Sequence, residues 1–166
     1  MSALPDAEAL CAKLAAELKP QLKPTSAMIG IHTGGAWLAE RLHAALGLRD
    51  PLGTMDIAFY RDDYDQQGLA RDPKRTRIPF EVEGRDLLLV DDVLYTGRTV
   101  RAAMNELFDY GRPASIALVV LADRGGRQLP ICPQYCGAKV EVPADMRLRL
   151  KRDAKGKLSL ELQDAR

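Results

Sequence analysis

An apolar run that stops at two adjacent carboxylates constrains this chain more than any other feature. Residues 87–99 read Leu-Leu-Leu-Val-Asp-Asp-Val-Leu-Tyr-Thr-Gly-Arg-Thr. Residues 87–90 are short and continuously apolar, the pattern of a strand buried on both faces in a parallel sheet. A helical pattern starts at Val100. Open α/β sheets bind ligands at the carboxyl ends of their strands, which directs attention to the loop between. Thr96, Gly97, Arg98 and Thr99 stand at the mouth of that helix, where free N–H groups and the helix dipole favour an anion. Gly97 lets the backbone approach a phosphate closely, and the threonine hydroxyls add donors. Asp91 and Asp92 repel such an anion, and suit ribose hydroxyls or a magnesium ion instead. A phosphate cradle beside paired acids fits a phosphorylated sugar. The same string could also be a helix cap and nothing more.

The string Val90-Asp91-Asp92-Val93-Leu94-Tyr95-Thr96-Gly97-Arg98-Thr99 resembles the phosphoribosyl pyrophosphate (PRPP) motif of type I phosphoribosyltransferases. Further strings are more specific: Val100-Arg101-Ala102-Ala103-Met104, Gly111-Arg112-Pro113-Ala114-Ser115-Ile116, Asp123-Arg124-Gly125 and Leu129-Pro130-Ile131. Together they resemble the PyrR family, pyrimidine-operon attenuation proteins that are also uracil phosphoribosyltransferases. The resemblance runs from about Ile29 to about Gly137. It implies an α/β type I phosphoribosyltransferase fold: a parallel twisted sheet flanked by helices, with a flexible lid and a C-terminal hairpin added as a hood. It implies uracil, PRPP and UMP as ligands and magnesium bound with PRPP, in a cytoplasmic homodimer or higher homo-oligomer. In that reading Val93, Leu94, Tyr95 and Thr96 to Thr99 hold the ribose phosphate, while Asp91 and Asp92 orient the ribose and meet the metal through hydroxyls or water.

Length and charge agree with this. A chain of 166 residues is most simply one domain, spanning 1–166, with a sizeable core. No apolar run approaches the roughly 20 residues needed to span a membrane, and the N-terminus lacks the pattern of a signal peptide. With 24 basic and 23 acidic side chains, global charge offers no case for nucleic-acid binding. Cys11, Cys132 and Cys136 are odd in number and badly spaced for zinc, so free thiols are expected.

Helical and strand patterns alternate along the chain, which argues for a parallel sheet with right-handed crossovers. Asp6 caps a first helix that runs to about Lys19; Pro20 and Pro24 close it. A strand is expected at 27–31, a helix at 36–46 ended by Gly47, and a strand at 54–60. Extended structure resumes at 79–82. A helix is expected at 100–110 and a strand at 115–122. Residues 146–151 and 158–162 alternate with period two around Lys155-Gly156, which predicts a hairpin.

Three further segments carry candidate chemistry. The loop Gly30-Ile31-His32-Thr33-Gly34-Gly35 could be an ordinary βα turn or could receive pyrophosphate on its N–H groups. The family resemblance favours the second, and implies a cis peptide at Thr33–Gly34. Many relatives read Thr-Arg-Gly here; this chain has Gly34 in place of the arginine and so lacks a charge-assisted contact. Residues 61–77 are long, polar and basic, the profile of a solvated loop or of a lid; Arg61, Arg75 and Arg77 are the candidate lid cations. Ala122, Asp123 and Arg124 border the base pocket by resemblance, although Asp123 and Arg124 could equally form a structural ion pair. No aromatic residue lies between Tyr110 and Tyr135, which favours a small pyrimidine unless a ring arrives from elsewhere.

A second role would be RNA binding at a basic surface apart from the active site, favoured by bound UMP in the family. Arg147, Arg149 and Lys151 fall on one strand face by the period-two rule, and Arg127 adds a fourth cation. A solvated hairpin face is the plainer reading of the same residues. Two alternatives to uracil transfer stand: a nucleotide-sensing RNA-binding attenuator with weak or no catalysis, and a phosphoribosyltransferase for another base.

Overall fold

The computed structural model describes residues 3–57 and 76–166. Arg61 and Arg75, the expected lid cations, and the end of the strand expected at 54–60 lie outside the described residues. The elements are α1 (Ala7–Leu18), a 3-10 turn (Lys19–Gln21), β1 (Ser26–Ile31), α2 (Gly34–Leu46), β2 (Gly53–Met55) and β3 (Asp86–Leu94). They continue as α3 (Arg98–Leu107), β4 (Ser115–Asp123), β5 (Tyr135–Lys139), β6 (Met146–Arg152) and β7 (Leu158–Asp164).

The first five strands form one parallel sheet in the order β2-β1-β3-β4-β5. From β1 the chain adds β2 on one side, then crosses over to add β3, β4 and β5 on the other. The order therefore reverses between β1 and β3, and the crevice at the carboxyl ends of those two strands is the topological switch point. The two loops singled out in the sequence, after β1 and after β3, open there.

Both sheet faces are covered, which is why β3 reads as unbroken hydrophobicity. Leu88 and Val90 face α1 and α2, beside Leu14, Leu18, Leu38 and Leu42. Leu87 and Leu89 face the opposite way, toward Val100, Ala103 and Leu107 of α3. Leu14 is fully buried, so Leu14→Ala is expected to lower stability by about 2–5 kcal/mol in urea unfolding. Asp6 caps α1 as expected, its carboxylate accepting from the Glu8 N–H at 2.9 Å and the Ala9 N–H at 3.4 Å.

Several expected boundaries move. β3 runs past the apolar residues through Leu94, because β4 continues alongside it and Asp91 pairs with Val120 and Val93 with Ala122. The acids thus lie within the strand's last turnless stretch, held by a ladder. Helix α3 starts at Arg98, two residues early, and α2 at Gly34. β2 is only Gly53–Met55, and Arg77 closes an isolated antiparallel bridge with Thr54. Residues 79–82 join no ladder, although Val82 is buried. β5 was not anticipated: its five residues carry a glycine and little apolar patterning, and β4 recruits them as an edge strand. The expected C-terminal hairpin is present, with Leu150 opposite Leu160, as a separate two-stranded sheet.

Candidate active site

A cavity of about 510 Å³ lies over the switch point. Its floor is the end of β3 and the loop beyond, from Asp91 through Thr99 except Arg98; Thr33, Gly34 and Trp37 of the α2 start form one wall. The hairpin roofs it with residues 146–150 and Ala165.

The cradle after β3 is built by short-range bonds. Thr96 is buried, and its hydroxyl accepts the Arg98 N–H at 3.2 Å. Its carbonyl accepts the N–H groups of Gln128 at 2.9 Å and Leu129 at 3.2 Å. Gly97 caps α3 at φ 94°, a left-handed conformation that favours glycine. A Cβ there would also lie 2.9 Å from Ile131 Cγ1. Gly97 has no side chain to cap α3, so beyond the Arg98 N–H taken by Thr96 the next amides of that helix remain for a ligand.

The acid pair and the loop after β1 are pressed together. Asp91 is buried, and its Oδ1 accepts the Asp92 N–H at 2.9 Å. A Cβ on Gly34 would fall 2.1 Å from Asp92 Oδ2, and one on Gly35 would fall 2.7 Å from the Val90 carbonyl oxygen. The two glycines let the start of α2 lie directly against β3. The non-proline cis peptide is His32–Thr33, one bond earlier than the Thr33–Gly34 bond expected from the resemblance.

Residues 2–141 match the phosphoribosyl transferase domain family. The chain is 49% identical over 165 residues to the bifunctional protein PyrR of Pseudomonas fluorescens, covering 97% of each. It is 52% identical over 155 residues to that of Ralstonia nicotianae, covering 91% of this chain and 88% of that one. The chain belongs to the PyrR family. That family pairs uracil phosphoribosyl transfer with control of pyrimidine-operon expression, the two roles expected from the sequence. Among solved structures, a hypoxanthine phosphoribosyltransferase from Staphylococcus aureus superposes with a TM-score of 0.62 at 23% identity, over 84% of this chain and 74% of that one. A hypoxanthine-guanine phosphoribosyltransferase from Bacillus anthracis gives 0.64 at 16% identity, over 84% of each chain. At such identities these two show the shared type I fold. No helix among the described residues is long and apolar enough to cross a membrane.

In this PyrR-family chain the remaining candidates divide. Arg124 reaches the cavity: its guanidinium lies 3.9 Å from the centroid of the Tyr95 ring, and Nη1 donates to the Met146 carbonyl at 3.1 Å. Ala122 and Asp123 are buried behind the wall and do not line it. The Asp123–Arg124 ion pair is not formed. Asp123 Oδ2 instead accepts from Arg127 Nη2 at 2.6 Å, and Oδ1 accepts the Gly125 N–H at 2.9 Å. Burial would raise the Asp123 carboxyl, but these hydrogen bonds outweigh it and hold the group below the usual carboxylate range.

Arg127, a candidate RNA contact, is turned inward. Besides Asp123 it donates to the carbonyls of Tyr95 at 2.8 Å and Ile131 at 2.9 Å, bracing the cradle from behind. Arg147 and Arg149 line the cavity, so these two do not form a surface apart from it. Arg147 Nη2 donates to the Ala165 carbonyl at 3.2 Å, and Arg149 Nη1 to Gln163 Oε1 at the same distance. Lys151 lies outside, paired with Glu161 at 3.0 Å. Arg98 points away, its Nε donating to Gln128 Oε1 at 2.9 Å, and neither His32 nor Arg77 lines the cavity.

Two aromatic rings, Tyr95 and Trp37, wall the cavity without being marked as such by the sequence. In sequence Tyr95 is only a part of the PRPP-like string, yet its ring packs so close to Gly126 that a Cβ there would lie 2.4 Å from it. Trp37 stands one helical turn after Gly34, and that spacing was the available signal.

Proposed function

We propose that the cavity holds PRPP across the switch point and transfers its ribose to uracil, giving UMP and pyrophosphate. One juxtaposition carries this reading: the cradle of Thr96, Gly97 and Thr99, the acid pair and the Thr33-Gly34 loop line a single cavity. The uncapped start of α3 suits the 5-phosphate. Asp91 and Asp92 then meet the ribose hydroxyls and support positive charge as the sugar becomes oxocarbenium-like. Uracil N1 forms the new bond to the anomeric carbon as the bond to pyrophosphate oxygen breaks; the N1 proton is released. The N–H groups of Thr33 and Gly34, which line the cavity, receive the leaving pyrophosphate. Positioning, more than a strong nucleophile, supplies the rate.

The donor set fits magnesium carried in with PRPP. Two carboxylates are adjacent at the cavity, and the described residues hold no cluster of three or more His, Cys, Asp or Glu able to cage a metal. Magnesium characteristically uses one or two carboxylates plus substrate phosphates. When bound, it would neutralise charge on the pyrophosphate. Arg124 is the base-side candidate, since it lines the cavity with its guanidinium against the Tyr95 ring. A uracil carbonyl oxygen would accept from that guanidinium, while Ala122 and Asp123 support the strand end behind it.

The test is pyrophosphate release from PRPP and magnesium with uracil, hypoxanthine, guanine and orotate compared. Turnover is expected with uracil alone. Faster turnover with a purine or orotate would assign a different base. No turnover with any base, combined with tight UMP binding, would make the cavity a sensor and RNA regulation the leading role.

A further inference from the structure

The hairpin that roofs the cavity shares no ladder with the five-stranded sheet. Side chains therefore set its height over the cradle. Leu148, Leu150, Leu158 and Leu160 seat it on the α1 and α2 core, but apolar contact is non-directional. The directional contacts gather at its turn. Arg41 of α2 grips Glu8 of α1 with both ends of its fork, Nη1 to Oε2 at 2.6 Å and Nη2 to Oε1 at 2.9 Å. The same pair holds the turn from both sides. Arg41 Nη2 donates to the Gly156 carbonyl, and the Leu158 N–H donates to Glu8 Oε1 at 2.8 Å.

A second fastening lies beside it. Arg152, the last residue of β6, sits 4.8 Å over the Trp37 ring and 3.4 Å from Glu40 Oε2. Gly34, Trp37 and Arg41 fall at helical spacing on one face of α2. The helix whose start forms the pyrophosphate loop thus also carries the fasteners of the roof. At the open end, Arg124 holds the Met146 carbonyl from outside the hairpin, while the Arg147 bond to the Ala165 carbonyl ties β6 to the end of β7. Releasing the turn would let the hairpin pivot about this end, moving the cavity-lining residues 148–150.

We propose that Glu8 and Arg41 are positioning residues: they hold the hairpin at the height that closes the base side of the cavity, and so set affinity for uracil and UMP but not for PRPP alone. This rests on the uracil reading above. PRPP is held by the β1 and β3 loops, which the hairpin turn does not touch. The Arg41 hydrogen bond, with help from the Leu158 N–H, holds the Glu8 carboxyl at about 2. Its contribution is full above the ordinary carboxylate value and is lost only as pH falls through that lowered one, so the clamp is intact under assay conditions.

Trp37 is the only tryptophan, so its emission reports occupancy of the cavity. In the full chain, Arg41→Met keeps the apolar stem and removes the fork, while Arg41→Lys keeps the charge without the fork. Arg41→Met is expected to raise the Kd for UMP and the KM for uracil about tenfold, with PRPP affinity nearly unchanged. Arg41→Lys should fall between. Equal losses for UMP and PRPP, or a lowered Tm with both affinities intact, would overturn the proposal. Should Arg41→Met fail to fold, Glu8→Gln carries the same comparison, since it removes the ion pair and keeps an acceptor for Leu158. If the parent chain binds UMP without turning over uracil, the transferase reading fails, and the ratio of UMP to PRPP affinity still judges the clamp.

Discussion

Converting Asp91 and Asp92 together to asparagine is expected to lower kcat/KM for uracil-dependent pyrophosphate release by about a hundred to a thousandfold. Asparagine keeps the shape and an acceptor oxygen, so the Asp92 N–H keeps its partner at position 91. What is removed is negative charge beside a sugar that turns cationic in the transition state. The single variants should separate the two acids. Asp91 is buried within the β3–β4 ladder, so its change should cost stability as well as rate. Asp92 stands half-exposed against the start of α2, so Asp92→Asn should cost rate with little change in Tm. Turnover of the double variant within tenfold of the parent would remove the acids from the proposed chemistry.

The sequence made these acids legible because their surroundings are local. A buried strand, a carboxylate pair, a Thr-Gly turn and a helix start all lie within thirteen consecutive residues. The parallel sheet was legible for the same reason, from runs whose unbroken hydrophobicity demands cover on both faces. What failed were features decided by partners distant in sequence. β5 is a strand because β4 offers an edge, not because Tyr135 to Lys139 favour one. Arg127 looks like an exposed cation in a polar string, but Asp123 and the carbonyls of Tyr95 and Ile131 take up its guanidinium. Arg147 and Arg149 were correctly placed on one face of a strand, yet nothing in the hairpin's own residues says that it folds over the switch point. The apolar residues Leu148, Leu150, Leu158 and Leu160 fix that direction only once α1 and α2 stand beside them.

The glycine that replaces an arginine in the pyrophosphate loop also receives its account from distant packing, and it leads to the second large expected effect. From sequence, Gly34 is a missing cation, which either weakens PRPP binding or is made good by backbone, metal and another cation. The structure adds a steric ground for the glycine. The space a side chain would take is already filled by the Asp92 carboxylate, 2.1 Å from an added Cβ. Any residue at 34 must turn Asp92 out of its place. Because the obstacle is the end of a side chain, the fold can yield, and the loss falls on function. Gly34→Arg and Gly34→Ala are therefore both expected to lower kcat/KM about tenfold or more while shifting Tm little. Gly35→Ala is the contrasting case. Its Cβ would meet the Val90 carbonyl and the Asp91 Cα at 2.7 and 2.9 Å. Backbone cannot swing aside, so overpacking of about 1–3 kcal/mol should appear as a lowered Tm. A double-variant cycle makes the distinction sharp. If Gly34→Ala acts by displacing Asp92, it should cost little further activity in an Asp92→Ala background, because the group it displaces is already gone. Additive losses, or a Gly34→Arg protein more active than the parent, would show that the loop tolerates a side chain and that the arginine is missing for some other reason.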